Sequence, residues 1–369
     1  MEDNNKISYL DSIRGIASVF VLLSHLSLVY FEYIHNFGLV HIPDENYIQS
    51  FLHNSPFLFF ISGSSAVYIF FIMSGIVLSI SAKKKRTSIF RSSASRYVRL
   101  SIPATFSCLF AFIIYFLVKH FDAYQDANFI NNSITRMNIN MVEAVYKGSI
   151  SSIFNFHAIN SYNPVLWTMS VEFYCSILLY ISYRTKHPIL IMPLLSSSLL
   201  FFGYQPLLGG ICFYIGMIIS EINIKNRSDI AGFAFVIFGL YFSGAHNDSY
   251  SYLVFYNILG SSTYTILNFL GAALILYGVI MSEICQHFLS RKTLQKIGTL
   301  SFPIYLVHWP VIYLVFNIMN SFNIKNGIIN SFISILITIS TSILFSKIDI
   351  LSIRASHFVK YRFTVNTAP

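Results

Sequence analysis

Apolar residues dominate the chain in ten runs, each close to the ~20 residues that an α-helix needs to cross the hydrocarbon core of a membrane. Polar and charged residues are gathered in the stretches between these runs. The pattern predicts an all-α integral membrane protein with about ten transmembrane helices. The predicted spans are residues 8–30, 57–80, 101–118, 163–182, 187–203, 207–222, 230–245, 263–283, 297–319 and 328–350.

The composition supports this interpretation. Of the 369 residues, 55% are hydrophobic and only 11% are charged, whereas soluble domains carry about 25% charged residues. A soluble protein of this length would therefore lack the polar side chains that cover a surface. Intrinsic disorder is excluded as well, because an aromatic content of 17% supplies abundant apolar surface for burial.

The basic residues predict how the chain is threaded, because Lys and Arg accumulate in cytoplasmic loops. With the N-terminus inside and ten spans, 20 of the 24 basic residues fall on the cytoplasmic side. We therefore expect both termini to be cytoplasmic, with residues 1–350 forming the membrane domain and residues 351–369 a short basic cytoplasmic tail. The net charge of +9 is then largely an orientation signal, so no nucleic-acid partner is expected.

Two stretches between the predicted spans are longer than turns. Residues 119–162 are polar and rich in Asn, and we expect them to form part of an outer mouth or lid. Residues 81–99 are basic and are expected on the inner side. The four cysteines show no CxxC or Cys/His spacing, so no metal site is expected.

The first predicted span contains Asp11, Arg14 and His25. Ionisable residues inside a span are costly and usually mark function. Arg14 and His25 are eleven residues apart, so they share one helix face and are separated by ~16 Å along its axis. This face suggests a polar path across much of the membrane. The structural alternative is that Arg14 reaches the inner interface while His25 bonds a neighbouring helix.

The fourth and ninth spans also carry polar residues at depth. Glu172 follows Trp167 in the fourth span. A buried carboxylate near a histidine would favour the charged form of that histidine. Tyr305 and His308 lie nearly on one face of the ninth span, flanked by prolines. These prolines release backbone groups that a neighbour or a lined cavity must then satisfy.

Two further segments have both structural and functional interpretations. Ser74 ends a Phe-rich run in the second span, where small residues also allow helices to approach closely. Arg96 and Arg99 lie on one helical face near the inner side. Such a pair binds phosphates, but it binds anionic lipid headgroups equally well.

Together these segments resemble the acyltransferase-3 family, which comprises integral membrane enzymes that O-acylate glycans and other hydroxyl compounds. Single motifs are weak signals, whereas five in family order are specific. The matching segments are Tyr9–Ala17 with His25, Phe70–Gly75, Arg96–Pro103, Leu166–Tyr174 and Ser301–Pro310. The resemblance covers most of the chain, and no fused soluble domain is expected.

The resemblance implies transfer of an acyl group, often acetyl, from cytoplasmic acyl-coenzyme A to a hydroxyl on the outer side. His25 would act as the base or carry the acyl group itself, and Glu172 would orient it or stabilise its charged form. Arg14, Arg96 and Arg99 would bind the donor phosphates. The residues expected to line a substrate channel are Asp11, Ser74, Trp167, Tyr305 and His308.

The sequence alone does not identify the acceptor. The absence of a recognised fused domain favours a surface polysaccharide or lipid-linked glycan such as O-antigen, in the inner membrane of a bacterium. Peptidoglycan and a small metabolite are the alternatives. A different class of function is a polysaccharide exporter or other transporter, although the internal repeats common in transporters are not seen in the sequence.

Overall fold

Helices account for nearly all of the residues described by the computed structural model, and no strand occurs among them. The described residues are 2–31, 33–34, 47–84, 88–120, 139–157, 162–222, 227–246 and 249–361. The helices, in chain order, are α1 (Glu2–Tyr30), α2 (Tyr47–Asn54), α3 (Gly63–Lys84), α4 (Ile89–His120), α5 (Met141–Tyr146), α6 (Thr168–Ser182), α7 (Pro188–Ser197), α8 (Tyr204–Glu221), α9 (Asp229–Ser243), α10 (Leu253–Leu259), α11 (Thr263–Met281), α12 (Glu283–Leu289), α13 (Lys292–Thr299), α14 (Ser301–Ser321) and α15 (Gly327–Tyr361).

Within this described part of the chain, seven helical segments are long and apolar enough to cross a membrane. The prediction of an all-α, multi-pass membrane protein is thus confirmed. The seven segments are Ser8–Tyr30, Gly63–Lys83, Ile89–His120, Pro164–Ser182, Tyr250–Met281, Ser301–Ser321 and Gly327–Tyr361.

The predicted spans 187–203, 207–222 and 230–245 correspond to less extensive apolar helices. Pro188–Phe202 and Asp229–Ser243 are shorter than a full span, and α8 has 18 residues that include polar groups at both ends. The total of ten crossings and the cytoplasmic location of both termini therefore stay predictions.

Two helices extend well beyond the predicted spans. α4 begins at Ile89, twelve residues before the predicted third span, and is 32 residues long. Residues 89–99 are therefore the first three turns of that helix rather than a loop. The last helix continues from Gly327 to Tyr361, past the predicted end at residue 350.

The helices form two compact units, which comprise Met1–Ile72 with Ile222–Ser301 and Met73–Glu221 with Phe302–Pro369. Close glycine contacts hold the first unit together. A Cβ on Gly15 of α1 would lie 2.7 Å from the backbone nitrogen of Gly298, so α13 packs directly on the turn that carries Arg14. In α9, Gly232 and Gly239 similarly approach α11, which is typical of helix pairs in membranes.

In the second unit, the chain around α5 runs beside α4. A π-helical turn (Lys147–Ser151) and a last helical turn (Ser152–Phe154) extend α5. A Cβ on Gly148 would lie 2.5 Å from the Cα of Thr105, so the two backbones touch near the middle of α4. At the far end, the Phe154 ring stacks on Tyr97, with 5.6 Å between centroids.

This arrangement corrects the expectation of a polar outer lid over residues 119–162, at least for the part that is described. Residues 121–138 and 158–161 lie outside the described residues. The segment Met141–Phe154 presents a large exposed apolar face, which is suited to contact with lipid. The exposed side chains are Met141, Val142, Val145, Tyr146, Ile150 and Phe154.

Candidate active site

A buried ion pair joins α4 to α6 in the second unit. The Arg96 guanidinium donates to Oε1 of Glu172, and its Nε donates to the Ser176 hydroxyl at 3.1 Å. Ser176 in turn donates to the backbone oxygen of Glu172 at 2.6 Å. The side chains of Arg96 and Glu172 are only 16% and 11% exposed, so this group is largely shielded from water.

Arg99 is also bonded internally, one turn further along α4. Its Nη1 lies 2.6 Å from Oδ1 of Asp349 and 2.6 Å from the Ser352 hydroxyl, both on α15. The guanidinium carbon also lies 5.1 Å from the centre of the Phe302 ring, within the range of a cation–π interaction. The two arginines that we expected to bind phosphates are therefore each paired with a carboxylate in this structure.

Tyr305 connects α14 to the beginning of α6. Its hydroxyl lies 2.8 Å from the Thr168 hydroxyl and donates to the Val165 carbonyl at 2.7 Å. Nearby, Asn163 donates to the Ser107 hydroxyl at 2.6 Å and to the Leu306 carbonyl at 2.8 Å. These bonds fix the beginning of α6 and thus the depth at which Glu172 enters the unit.

The other predicted channel residues of the second unit differ in exposure. His308 is completely buried, with its Nδ1 atom 3.0 Å from the Ile304 carbonyl one turn earlier. Ser74 is also buried, whereas Trp167 is half-buried. Next to Ser74, a Cβ on Gly75 would lie 2.4 Å from the Phe213 carbonyl oxygen. The small residues of this motif thus let α3 and α8 touch.

Asp11, Arg14 and His25 all lie on α1, in the first unit. An Arg14 Nη1 atom is 3.6 Å from Oδ1 of Asp11, and the side chains are 37% and 49% exposed. Arg14 therefore remains accessible to an anion. His25 is half-buried, and a Cβ on Gly63 would lie 2.8 Å from the hydroxyl of the adjacent Ser24, so α3 begins close to this turn.

The structure thus brings together Arg96 with Glu172, and Arg14 with Asp11. Sequence reasoning missed the hydroxyl and amide groups that complete the second unit, namely Ser107, Asn163, Thr168, Ser176 and Ser352. It also missed Asp349, whose position as an acidic residue near the end of an apolar run is the one signal that singles it out. Among the described residues, no group of three His, Cys, Asp or Glu side chains is placed to hold a metal ion.

Comparison with known proteins places the chain in a family. The model of the acyltransferase-3 family, described as an acyltransferase domain, matches residues 7–347. An O-acetyltransferase, PaAT-1 of Phomopsis amygdali, is 31% identical over 203 residues, which are 47% of this chain and 39% of that protein. The chain therefore spans well under half the length of this curated relative. No solved structure matches the chain. Because the family model covers nearly the whole sequence, the chain belongs to the acyltransferase-3 family.

Proposed function

We propose that this membrane protein transfers an acyl group, often acetyl, from cytoplasmic acyl-coenzyme A to a hydroxyl group on the outer side. The observation that carries the proposal is the family match over residues 7–347, which includes every residue that the sequence singled out. The name of the relative, an O-acetyltransferase, supports an acetyl group and an oxygen acceptor.

In the proposed reaction, His25 takes the proton of the acceptor hydroxyl. The hydroxyl oxygen then attacks the thioester carbonyl, so a C–O bond forms and the C–S bond breaks. The proton on the imidazole passes to the sulfur that leaves as coenzyme A. Histidine suits this task because its ordinary pKa is close to neutral. The alternative route, in which the acyl group first bonds to the imidazole of His25, balances in the same way.

Glu172 has a fixed orientation that supports a role in the site. Its carboxylate is bonded by Arg96, which also bonds Ser176 on the next turn, and such rigid support favours catalysis. That Glu172 stabilises the charged form of His25, and that Arg14, Arg96 and Arg99 bind donor phosphates, stay predictions from the sequence. The proposed channel residues Asp11, Ser74, Trp167, Tyr305 and His308 stay predictions as well.

We propose a surface polysaccharide or a lipid-linked glycan such as O-antigen as the acceptor, with the protein in the inner membrane of a bacterium. In this proposal both ends of the chain are cytoplasmic, which agrees with the distribution of Lys and Arg. Membrane lipids surround the apolar helices. Peptidoglycan and a small metabolite are the alternative acceptors.

Mass spectrometry of surface glycans tests this function. Cells with the wild-type protein are compared with cells that carry the His25→Ala variant, and His287→Ala serves as the control because His287 is exposed on α12. We expect one acyl mass to disappear from a defined sugar only in the His25→Ala cells. A His25→Ala protein that reaches the membrane in normal amount and retains full acylation would end the proposal for His25.

A further inference from the structure

A cavity of about 450 Å³ lies within the second unit, where the ends of α3, α6 and α15 meet the beginning of α4. Three basic side chains line it, Arg184 and Lys186 from the turn after α6 and Lys360 from the end of α15. Ser92, Tyr180 and Tyr183 add hydroxyl groups and two aromatic rings. None of the described residues that line the cavity is acidic.

The electrostatics of this cavity favour an anion. Besides the three cations, the lining includes Ile89, which is the first residue of the 32-residue helix α4. The N-terminus of a helix carries partial positive charge and backbone donors, and it is a common phosphate site.

Tyr183 is held at the edge of the cavity by a network of its own. Its hydroxyl donates to Oε1 of Glu221 at 2.9 Å, and the same carboxylate oxygen is 2.9 Å from the Lys83 ammonium. The charge of Glu221 is therefore matched by Lys83 rather than by the cations of the cavity. Burial raises the pKa of Tyr183 to about 12, so this hydroxyl stays protonated near neutral pH.

The preference of Lys and Arg for cytoplasmic loops and of Tyr for the membrane interface accounts for the residue types here, whereas their arrangement around one cavity is a property of the fold. A volume of about 450 Å³ is typical of small-molecule sites. Cations that bind phosphates and rings that stack on a base are the two features that a nucleotide requires.

The cavity also lies close to the buried ion pair along both helices. Ser92 is four residues before Arg96 on α4, and Tyr180 is eight residues beyond Glu172 on α6, so the two sites are ~6 Å and ~12 Å apart along the two helix axes. A ligand seated in the cavity therefore lies within two to three helical turns of Glu172 along α6.

We propose that this cavity binds the phosphorylated nucleotide end of the acyl-coenzyme A donor. Arg184, Lys186 and Lys360 are further contacts for the phosphates, besides the arginines predicted from the sequence, and the rings of Tyr180 and Tyr183 contact the adenine. This inference rests on the proposed function, because it assumes a coenzyme A thioester as the donor. The phosphate of an anionic lipid headgroup has similar chemistry, and the experiment must separate the two sources.

The test measures dissociation constants for coenzyme A and for adenosine 3′,5′-bisphosphate, which lacks the pantetheine arm. Purified wild-type, Arg184→Gln, Lys186→Gln and Lys360→Gln proteins are compared in nanodiscs of phosphatidylcholine. The matched control is Arg354→Gln, since Arg354 is exposed on the same helix as Lys360 and does not line the cavity. We expect each cavity variant to bind both ligands about tenfold more weakly, as for loss of one charge-assisted bond, and the control to match the wild type.

Different results overturn different parts of the reasoning. Unchanged coenzyme affinity in all three cavity variants would reject the nucleotide site and leave the proposed acyl transfer intact. A wild-type protein that binds neither ligand would reject the coenzyme A donor and this inference together. If the variants keep coenzyme affinity but lose thermal stabilisation by phosphatidylglycerol, the cavity holds a lipid headgroup and the inference is wrong. Restored affinity in Arg184→Lys separates loss of charge from misfolding.

Discussion

The ion pair between Arg96 and Glu172 should be the most sensitive polar contact of the second unit. Glu172→Gln leaves the Arg96 guanidinium without its carboxylate, and Arg96→Gln leaves the carboxylate without its cation. Both side chains are more than four-fifths shielded from solvent. Removal of one partner therefore leaves a charge in a poorly solvated place, which is far more costly than loss of an exposed pair.

The size of this effect follows from the burial and from the length of the chain. Breaking a buried pair by removing one partner destabilises proteins by about 3–5 kcal/mol. With an unfolding entropy of ~2.1 cal/mol/K per residue, the 369 residues correspond to ~0.8 kcal/mol/K. We therefore expect each single substitution to lower Tm by about 4–6 °C.

Thermal unfolding of the purified proteins in detergent, together with the double variant Arg96→Gln/Glu172→Gln, completes a double-mutant cycle. The double variant should recover part of the loss, because neither charge is then left alone. Lys83 and Glu221 supply the matched control. They form a pair at 2.9 Å in the same unit, but their side chains are 34% and 32% exposed, so a coupling of only about 0.2–1 kcal/mol is expected.

Two results would contradict this reasoning. If the coupling between Arg96 and Glu172 is no larger than that between Lys83 and Glu221, burial does not strengthen the pair. If both single variants unfold at the wild-type temperature, the two side chains are not paired in the folded protein.

Three further substitutions test the packing around the candidate site. Gly75→Ala should lower stability by about 1–3 kcal/mol, since the new methyl group would lie 2.4 Å from a carbonyl oxygen of α8; an unchanged Tm would show that α3 and α8 are not in contact there. Tyr305→Phe removes two buried hydrogen bonds and should lower stability by about 1–3 kcal/mol in the same thermal assay. An unchanged Tm would show that the Tyr305 hydroxyl does not make these bonds. In a variant without native cysteines, Ile150→Cys should resist a membrane-impermeant maleimide because lipid covers its exposed face, whereas Lys325→Cys in an exposed loop should react. Rapid labelling of both would place the π-helical turn Lys147–Ser151 in water.

Much of the fold could be predicted because hydropathy is a sum over neighbouring residues. Long apolar runs form helices in lipid, where each backbone polar group must be bonded within the segment. Hydropathy did not locate the start of α4, because Arg91, Arg96 and Arg99 lower the mean hydropathy of its first three turns. The prediction therefore began this span at residue 101, twelve residues after the helix begins.

The candidate site could be predicted as a set of residues but not as a set of contacts. Polar groups in apolar runs are conspicuous, so Arg14, His25, Glu172 and His308 could be selected from the sequence alone. The helix period also placed Arg14 and His25 on one face, since that relation depends only on spacing. Both results depend on residues that are close together in the chain.

The tertiary structure alone decided which groups are partners. Arg96 bonds Glu172 at a separation of 76 residues, and Arg99 bonds Asp349 at a separation of 250 residues. No local pattern encodes such pairs, because they depend on which helices pack side by side and in what register. For the same reason, the sequence by itself determined that the chain is a helical membrane protein with a few polar groups at depth, whereas packing decided that Arg96 and Arg99 are bonded to carboxylates and that a basic cavity opens nearby.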